Sequence, residues 1–116
     1  MENKSLVFTA TYNESENIKN FLDIALKLHN IDILIVDDNS PDGTAKVVEE
    51  YKKKFDNLNL IVRKGKEGLD TAHKLAFKFA LENDYQNLIT MDADLSHDPS
   101  KIPMFLEELN STSFVI

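Results

Sequence analysis

Apolar positions along the chain follow two alternating rhythms. Short, mostly apolar runs rich in branched residues occur at Leu6-Val7-Phe8, Ile31 to Val36, Leu58 to Val62, Leu88 to Met91 and Phe114-Val115-Ile116. Runs of this kind predict strands covered on both faces. Between them, Ile18, Phe21, Leu22, Ala25 and Leu28 keep the spacing of one helix face. So do Val47, Val48, Tyr51 and Phe55, and then Ala72, Leu75, Ala76, Phe79 and Ala80. A last helix is predicted to bury Phe105, Leu106 and Leu109, with Pro103 at an early helical position. Asn13 with Glu16 three residues on has the form of a capping box, and Thr44 after the Pro41-Asp42-Gly43 turn is a candidate N-cap. The order βαβαβαβαβ predicts an α/β fold, a mostly parallel sheet with helices on both faces joined by right-handed crossovers.

The length of 116 residues suits one domain over 1–116 and is too short for two. No repeat, low-complexity tract or linker interrupts it. Thirteen basic residues stand against 20 acidic ones, a net charge of −7, which disfavours nucleic acid as a main partner. The segment from Lys46 to Glu67 runs the other way, at about +3. Within it, Lys52-Lys53-Lys54 reads as a solvated helix face, whereas Arg63, Lys64 and Lys66 follow a strand beside glycines, where an anionic ligand could sit. The absence of cysteine excludes disulfides, thiolate metal sites and thiol nucleophiles. No apolar run approaches the roughly 18 residues of a membrane span, and Met1-Glu2-Asn3-Lys4 does not read as a signal peptide. A cytoplasmic chain is expected.

Open parallel sheets bind ligands beyond the carboxyl ends of their strands. Those ends lead into Thr9 to Glu14, Asp37 to Gly43, Arg63 to Gly68 and Asp92 to Asp98, all polar or charged. Asp92 and Asp94, one residue apart, can offer oxygen ligands to a hard cation, Mg²⁺ or Mn²⁺, which in turn can bridge a diphosphate. The plainer alternative is that both acids cap a strand-to-helix turn. Asp37-Asp38 has the same two readings: a carboxylate accepting from a base or ribose hydroxyl, or a turn cap with Asn39 and Ser40. Tyr12 could stack on a nucleobase or simply pack, and Gly65 and Gly68 could admit a phosphate or simply make a loop. His29 reads as structural at a helix end, His73 falls on a first helical turn, and His97 is at most a further polar contact. No Ser–His–Asp arrangement is available.

Thr11-Tyr12-Asn13-Glu14, Val36 to Thr44, Gly65-Lys66-Glu67-Gly68-Leu69 and Met91 to Pro99 occur in that order. Together these blocks resemble the GT-A glycosyltransferases, and among them the polyprenol (dolichyl) phosphate mannosyltransferases, from about Ser5 to Pro103. The resemblance implies a Rossmann-like three-layer α/β/α domain of the nucleotide-diphospho-sugar transferase type, here truncated. It implies inverting, metal-dependent transfer of a hexose, mannose from GDP-mannose or else a UDP-hexose, to a polyprenol phosphate. By position it places Ala10, Tyr12 and Glu14 on the nucleotide and Val36 and Asp38 at the base and ribose. Asp92, Ala93 and Asp94 would hold the diphosphate, with Asp92 and Asp94 as metal ligands and catalytic residues. A lipid acceptor would make the protein peripheral at a membrane surface.

Two residues depart from the pattern: Ala10 where proline is usual, and Asp70 where glycine is usual after Gly68-Leu69. Relatives of this kind also continue past Ile116. The expectation is therefore a donor-binding half-domain with weak or no turnover, its sheet completed by a C-terminal half or a second copy. A nucleotide-sugar-binding module is the alternative. A phosphorylation receiver domain, suggested by Ile33 to Asn39, is disfavoured because a full β-α unit precedes the acidic pair.

Overall fold

Strict alternation of side chains in β1 (Ser5–Thr11) and β2 (Ile31–Asp37) sorts the helices onto two faces of the sheet. The computed structural model describes residues 5–28, 31–64 and 69–91. In chain order these form β1, α1 (Ser15–Ala25), β2, α2 (Thr44–Lys52), β3 (Leu58–Val62), α3 (Leu69–Glu82) and β4 (Asn87–Thr90). The strands pair in the order β3-β2-β1-β4, all parallel. Chain direction across the sheet therefore reverses between β1 and β4, which is where such sheets open a ligand crevice.

Val7, Ile31, Ile33, Ile35 and Ile89 face α1 and α2, against Ile18, Phe21, Leu22, Ala25 and Val48. Leu6, Phe8, Leu34, Val36 and Leu88 face α3, against Ala72, Ala76 and Ala80. The helix faces read from periodicity are thus the buried ones, and Leu28, Val47, Tyr51, Phe55, Leu75 and Phe79 pack at their margins. Each fully buried Phe, Ile or Leu contributes roughly 1.5–3 kcal/mol over its exposed state. Small alanines let α3 lie close to the sheet, and His73 sets its ring edge-on to Phe8 at 5.4 Å. Lys52, Lys53 and Lys54 are exposed, as a solvated face should be. Tyr51 donates to Asp23 at 2.7 Å and ties α2 to α1; burial, then that bond and the Asp23 charge, push its phenol up to about 12.

Both expected caps differ from what forms. Helix α1 begins after Glu14, not Asn13, and no side chain of its own entry loop caps it. Asn13 has φ 56 and serves as the turning residue, which a short amide side chain tolerates. Thr44 is the first residue of α2 rather than its cap; Gly43 precedes it at φ 87, a conformation suited to glycine. The last predicted helix with Phe105, Leu106 and Leu109, the strand Phe114-Val115-Ile116, Gly65 to Gly68, His29 and His97 lie outside the described residues. So do Asp92, Ala93 and Asp94. Among the described residues, no helix is long and apolar enough to cross a membrane.

Candidate functional site

Parallel register brings the ends of β1 and β2 level, Thr11 against Asp37. One step on, Asp38 N donates to the Thr11 carbonyl at 3.1 Å, so Tyr12 and Asp38 leave the sheet side by side. On the other flank of β1, Met91 N donates to the Phe8 carbonyl at 3.0 Å, and Thr9 Oγ1 donates to the Met91 carbonyl at 2.9 Å. Those two bonds carry the β1–β4 pairing to the residue immediately before Asp92. The carboxyl edges of β2, β1 and β4 thus form one continuous rim.

The two acids of the β2 end do different work. Asp37 is wholly buried and accepts from Thr11 Oγ1 (2.7 Å), Ser40 N (2.9 Å) and Ser40 Oγ (2.6 Å). Asp38 is 8% exposed and is gripped by the Arg63 guanidinium, Nε to Oδ1 at 2.6 Å and Nη2 to Oδ2 at 3.0 Å. This two-pronged geometry orients as well as neutralises the carboxylate. Arg63 also donates from Nη1 to Thr71 Oγ1 at 2.7 Å, reaching the first turn of α3. Its charge, expected to face an anionic ligand, is therefore directed to Asp38. Lys64 is exposed, and its carbonyl accepts from Asn39 Nδ2 at 3.4 Å.

Of the other candidates, Tyr12 is 40% exposed at the rim and Ala10 is half-buried beneath it. Val36 lies entirely within the α3-side core, leaving its side chain no free surface. Glu14 accepts from Asn17 Nδ2 at 2.8 Å and so leans along α1.

A second feature has a sequence signal only in hindsight, the spacings Asp-X-X-Ser and Asp-X-Thr, which favour side chain to backbone bonds. Three successive amides of the α1 entry donate to the loop after β2: Asn13 N to Ser40 Oγ (2.9 Å), Glu14 N to Thr44 Oγ1 (3.1 Å) and Ser15 N to Asp42 Oδ2 (3.1 Å). Asp42 Oδ1 also accepts from Thr44 N (3.0 Å) and Thr44 Oγ1 (2.5 Å). One carboxylate thus sits at the N-termini of α1 and α2 together. Desolvation raises its pKa, but the bonds from Thr44 and Ser15 outweigh it and hold the carboxyl below 3.8. An open cleft of about 310 Å³ lies here, lined by Asn13, Glu14, Ser15, Glu16, Asn17 and Asp42. It takes in Glu14 but neither Tyr12 nor Asp38, and its three carboxylates make it a poor seat for a phosphate. A pyrophosphate at the rim finds both helix ends already filled by an anion. Its charge is better met by a cation, and the oxygen donor set of Asp92 and Asp94 in sequence fits a hard one.

Residues 6–116 match the family described as Glycosyl transferase family 2. The undecaprenyl-phosphate mannosyltransferase of Micrococcus luteus is 35% identical over 112 residues, covering 96% of this chain and 46% of that protein. The polyprenol monophosphomannose synthase of Mycolicibacterium smegmatis is 34% identical over 113 residues, 93% of this chain and 42% of that one. This chain spans less than half the length of either. The mannosyltransferase PcManGT from Pyrobaculum calidifontis, solved in complex with GDP-Man and Mn²⁺, superposes with a TM-score of 0.67 at 24% identity, covering 81% of this chain and 28% of that one. At that identity the likeness speaks for the shared GT-A fold.

Proposed function

The chain belongs to glycosyl transferase family 2, and from that premise we propose that it binds the sugar-nucleotide donor for transfer of a hexose to a polyprenol phosphate. Mannose from GDP-mannose is the donor favoured over a UDP-hexose, given the relatives named as mannosyltransferases and a structural neighbour holding GDP-Man and Mn²⁺. The observation that carries this reading is the rim itself. Tyr12 and the oriented Asp38 emerge together from β1 and β2, while the Thr9–Met91 bond holds the end of β4 against β1 as far as Met91.

On this reading, Tyr12 offers a ring face to the base, and Asp38, held in orientation by Arg63, accepts from base or ribose donors. Asp92 and Asp94 would hold Mn²⁺ or Mg²⁺, which supplies positive charge to a departing nucleoside diphosphate. The acceptor phosphate is already anionic, so the chain need not furnish a strong general base, and in-line attack would invert the anomeric carbon. With a lipid acceptor, the protein would work peripherally at a membrane surface.

Calorimetric titration of the chain with GDP, UDP and GDP-mannose, with and without Mn²⁺, tests the donor assignment. GDP and GDP-mannose are expected to bind about tenfold more tightly with Mn²⁺, as a bridged pyrophosphate requires. Binding that ignores the metal would overturn the assignment.

A further inference from the structure

Two carboxylate–hydroxyl–amide relays join the loops that leave β1 and β2. In one, the Ser40 hydroxyl donates to Asp37 Oδ1, and Ser40 Oγ accepts from Asn13 N. In the other, the Thr44 hydroxyl donates to Asp42 Oδ1, and Thr44 Oγ1 accepts from Glu14 N. With the proton committed to an anion, each oxygen turns its lone pairs to the amide and becomes a stronger acceptor. The amides held in this way are consecutive and flank the reversal at Asn13, φ 56, between Tyr12 and Glu14. The first relay is anchored in the sheet, because the buried Asp37 also accepts from Thr11 at the end of β1. The second is anchored in α2, where Thr44 is wholly buried.

Although Asn13, Glu14 and Asp42 also line the acidic cleft, the relay groups are partnered within the chain and need no ligand. They act by fixing where the backbone of Tyr12 and Glu14 stands relative to Asp38. We propose that Ser40 and Thr44 are positioning residues for nucleotide recognition, acting as a polar latch that presents Tyr12 beside Asp38. This rests on the reading that the donor base sits between those two side chains.

The test compares the full chain with Ser40→Ala and Thr44→Val, with Thr44→Ser as the conservative rescue. Amide exchange by NMR reports on the latch, and titration with Mn²⁺–GDP reports on recognition. Each loss variant is expected to lower protection at Asn13 and Glu14 about tenfold, the loss of one charge-assisted hydrogen bond, while β1 and β2 amides keep theirs. The Mn²⁺–GDP dissociation constant should rise by about the same factor, and Thr44→Ser should restore it to within about twofold. Unchanged affinity in Thr44→Val despite faster Glu14 exchange overturns the positioning role while the donor reading stands. Loss of protection throughout the sheet marks a purely structural role and also overturns it. If the unaltered chain binds no Mn²⁺–GDP, the donor reading fails and this inference falls with it.

Discussion

At the residue scale, the Asp38–Arg63 pair separates what burial penalises from what pairing offsets. Both side chains are about nine-tenths buried, 9% exposed for Arg63 and 11% for Asp38, with two contacts between them. Two buried charges that satisfy each other add little net stability over apolar substitutes, but removing one strands the other. Arg63→Met should therefore destabilise the chain by about 3 kcal/mol, the lower end for breaking a buried pair. Adding Asp38→Asn should recover at least half of that loss, because the stranded charge is gone. Urea unfolding of the two variants and the parent closes the comparison, and a cost under about 1 kcal/mol for Arg63→Met would show the pair to be solvated. The pairing is hard to foresee, since the partners are 25 residues apart. It follows from register: Asp37 opposes Val62, so the next residue of each strand faces the other.

At the element scale, the β/α alternation is readable because burial imposes a period on each segment, and that period survives in the bare sequence. Helix ends are less readable, since a cap can come from elsewhere. Asn13 and Glu16 have the right spacing for a capping box, yet Asn13 makes the turn and Asp42 reaches across from another loop to Ser15 N. The end of α3 is a local case with a clear consequence. Tyr85 N donates to the Ala80 carbonyl at 3.0 Å and Asp84 N to the Leu81 carbonyl at 3.4 Å, with Asp84 at φ 61. This is the left-handed helix stop that glycine usually occupies, and Tyr85 stacks on Phe79 at 6.2 Å as its apolar clasp. Asp84 is exposed, and among the described residues its carboxylate accepts no hydrogen bond, so the strain is removable. Asp84→Gly should stabilise the fold by about 0.5–1 kcal/mol, the left-handed penalty less glycine's extra unfolded entropy. Thermal unfolding should show a rise of about 2–8 °C, and a fall would mean that the Asp84 side chain holds the turn.

At the scale of the whole molecule, charge decides how the proposed nucleotide donor could approach. The chain carries −7, and the ordinary answer to a phosphate in such sheets, an open helix N-terminus, is taken at α1 and α2 by Asp42. Arg63, at the end of β3, is already matched by Asp38. A nucleoside diphosphate with about three negative charges therefore meets net repulsion unless a divalent cation accompanies it. The sequence shows the acids but not which of them are already engaged, so the sign of this field emerges only from the fold. Added salt shortens the screening length to about 10 Å at 0.1 M and weakens repulsion and attraction alike. In metal-free buffer, raising KCl from about 20 to about 200 mM should tighten GDP binding roughly two- to threefold, whereas uncharged guanosine should not respond. With saturating Mn²⁺ the salt dependence of GDP should largely vanish, because the ion neutralises the pyrophosphate locally. Weaker GDP binding with salt in the metal-free titration would instead mean that cations such as the exposed Lys64 dominate the rim. The phosphate would then be held by side chains rather than by a bridging metal.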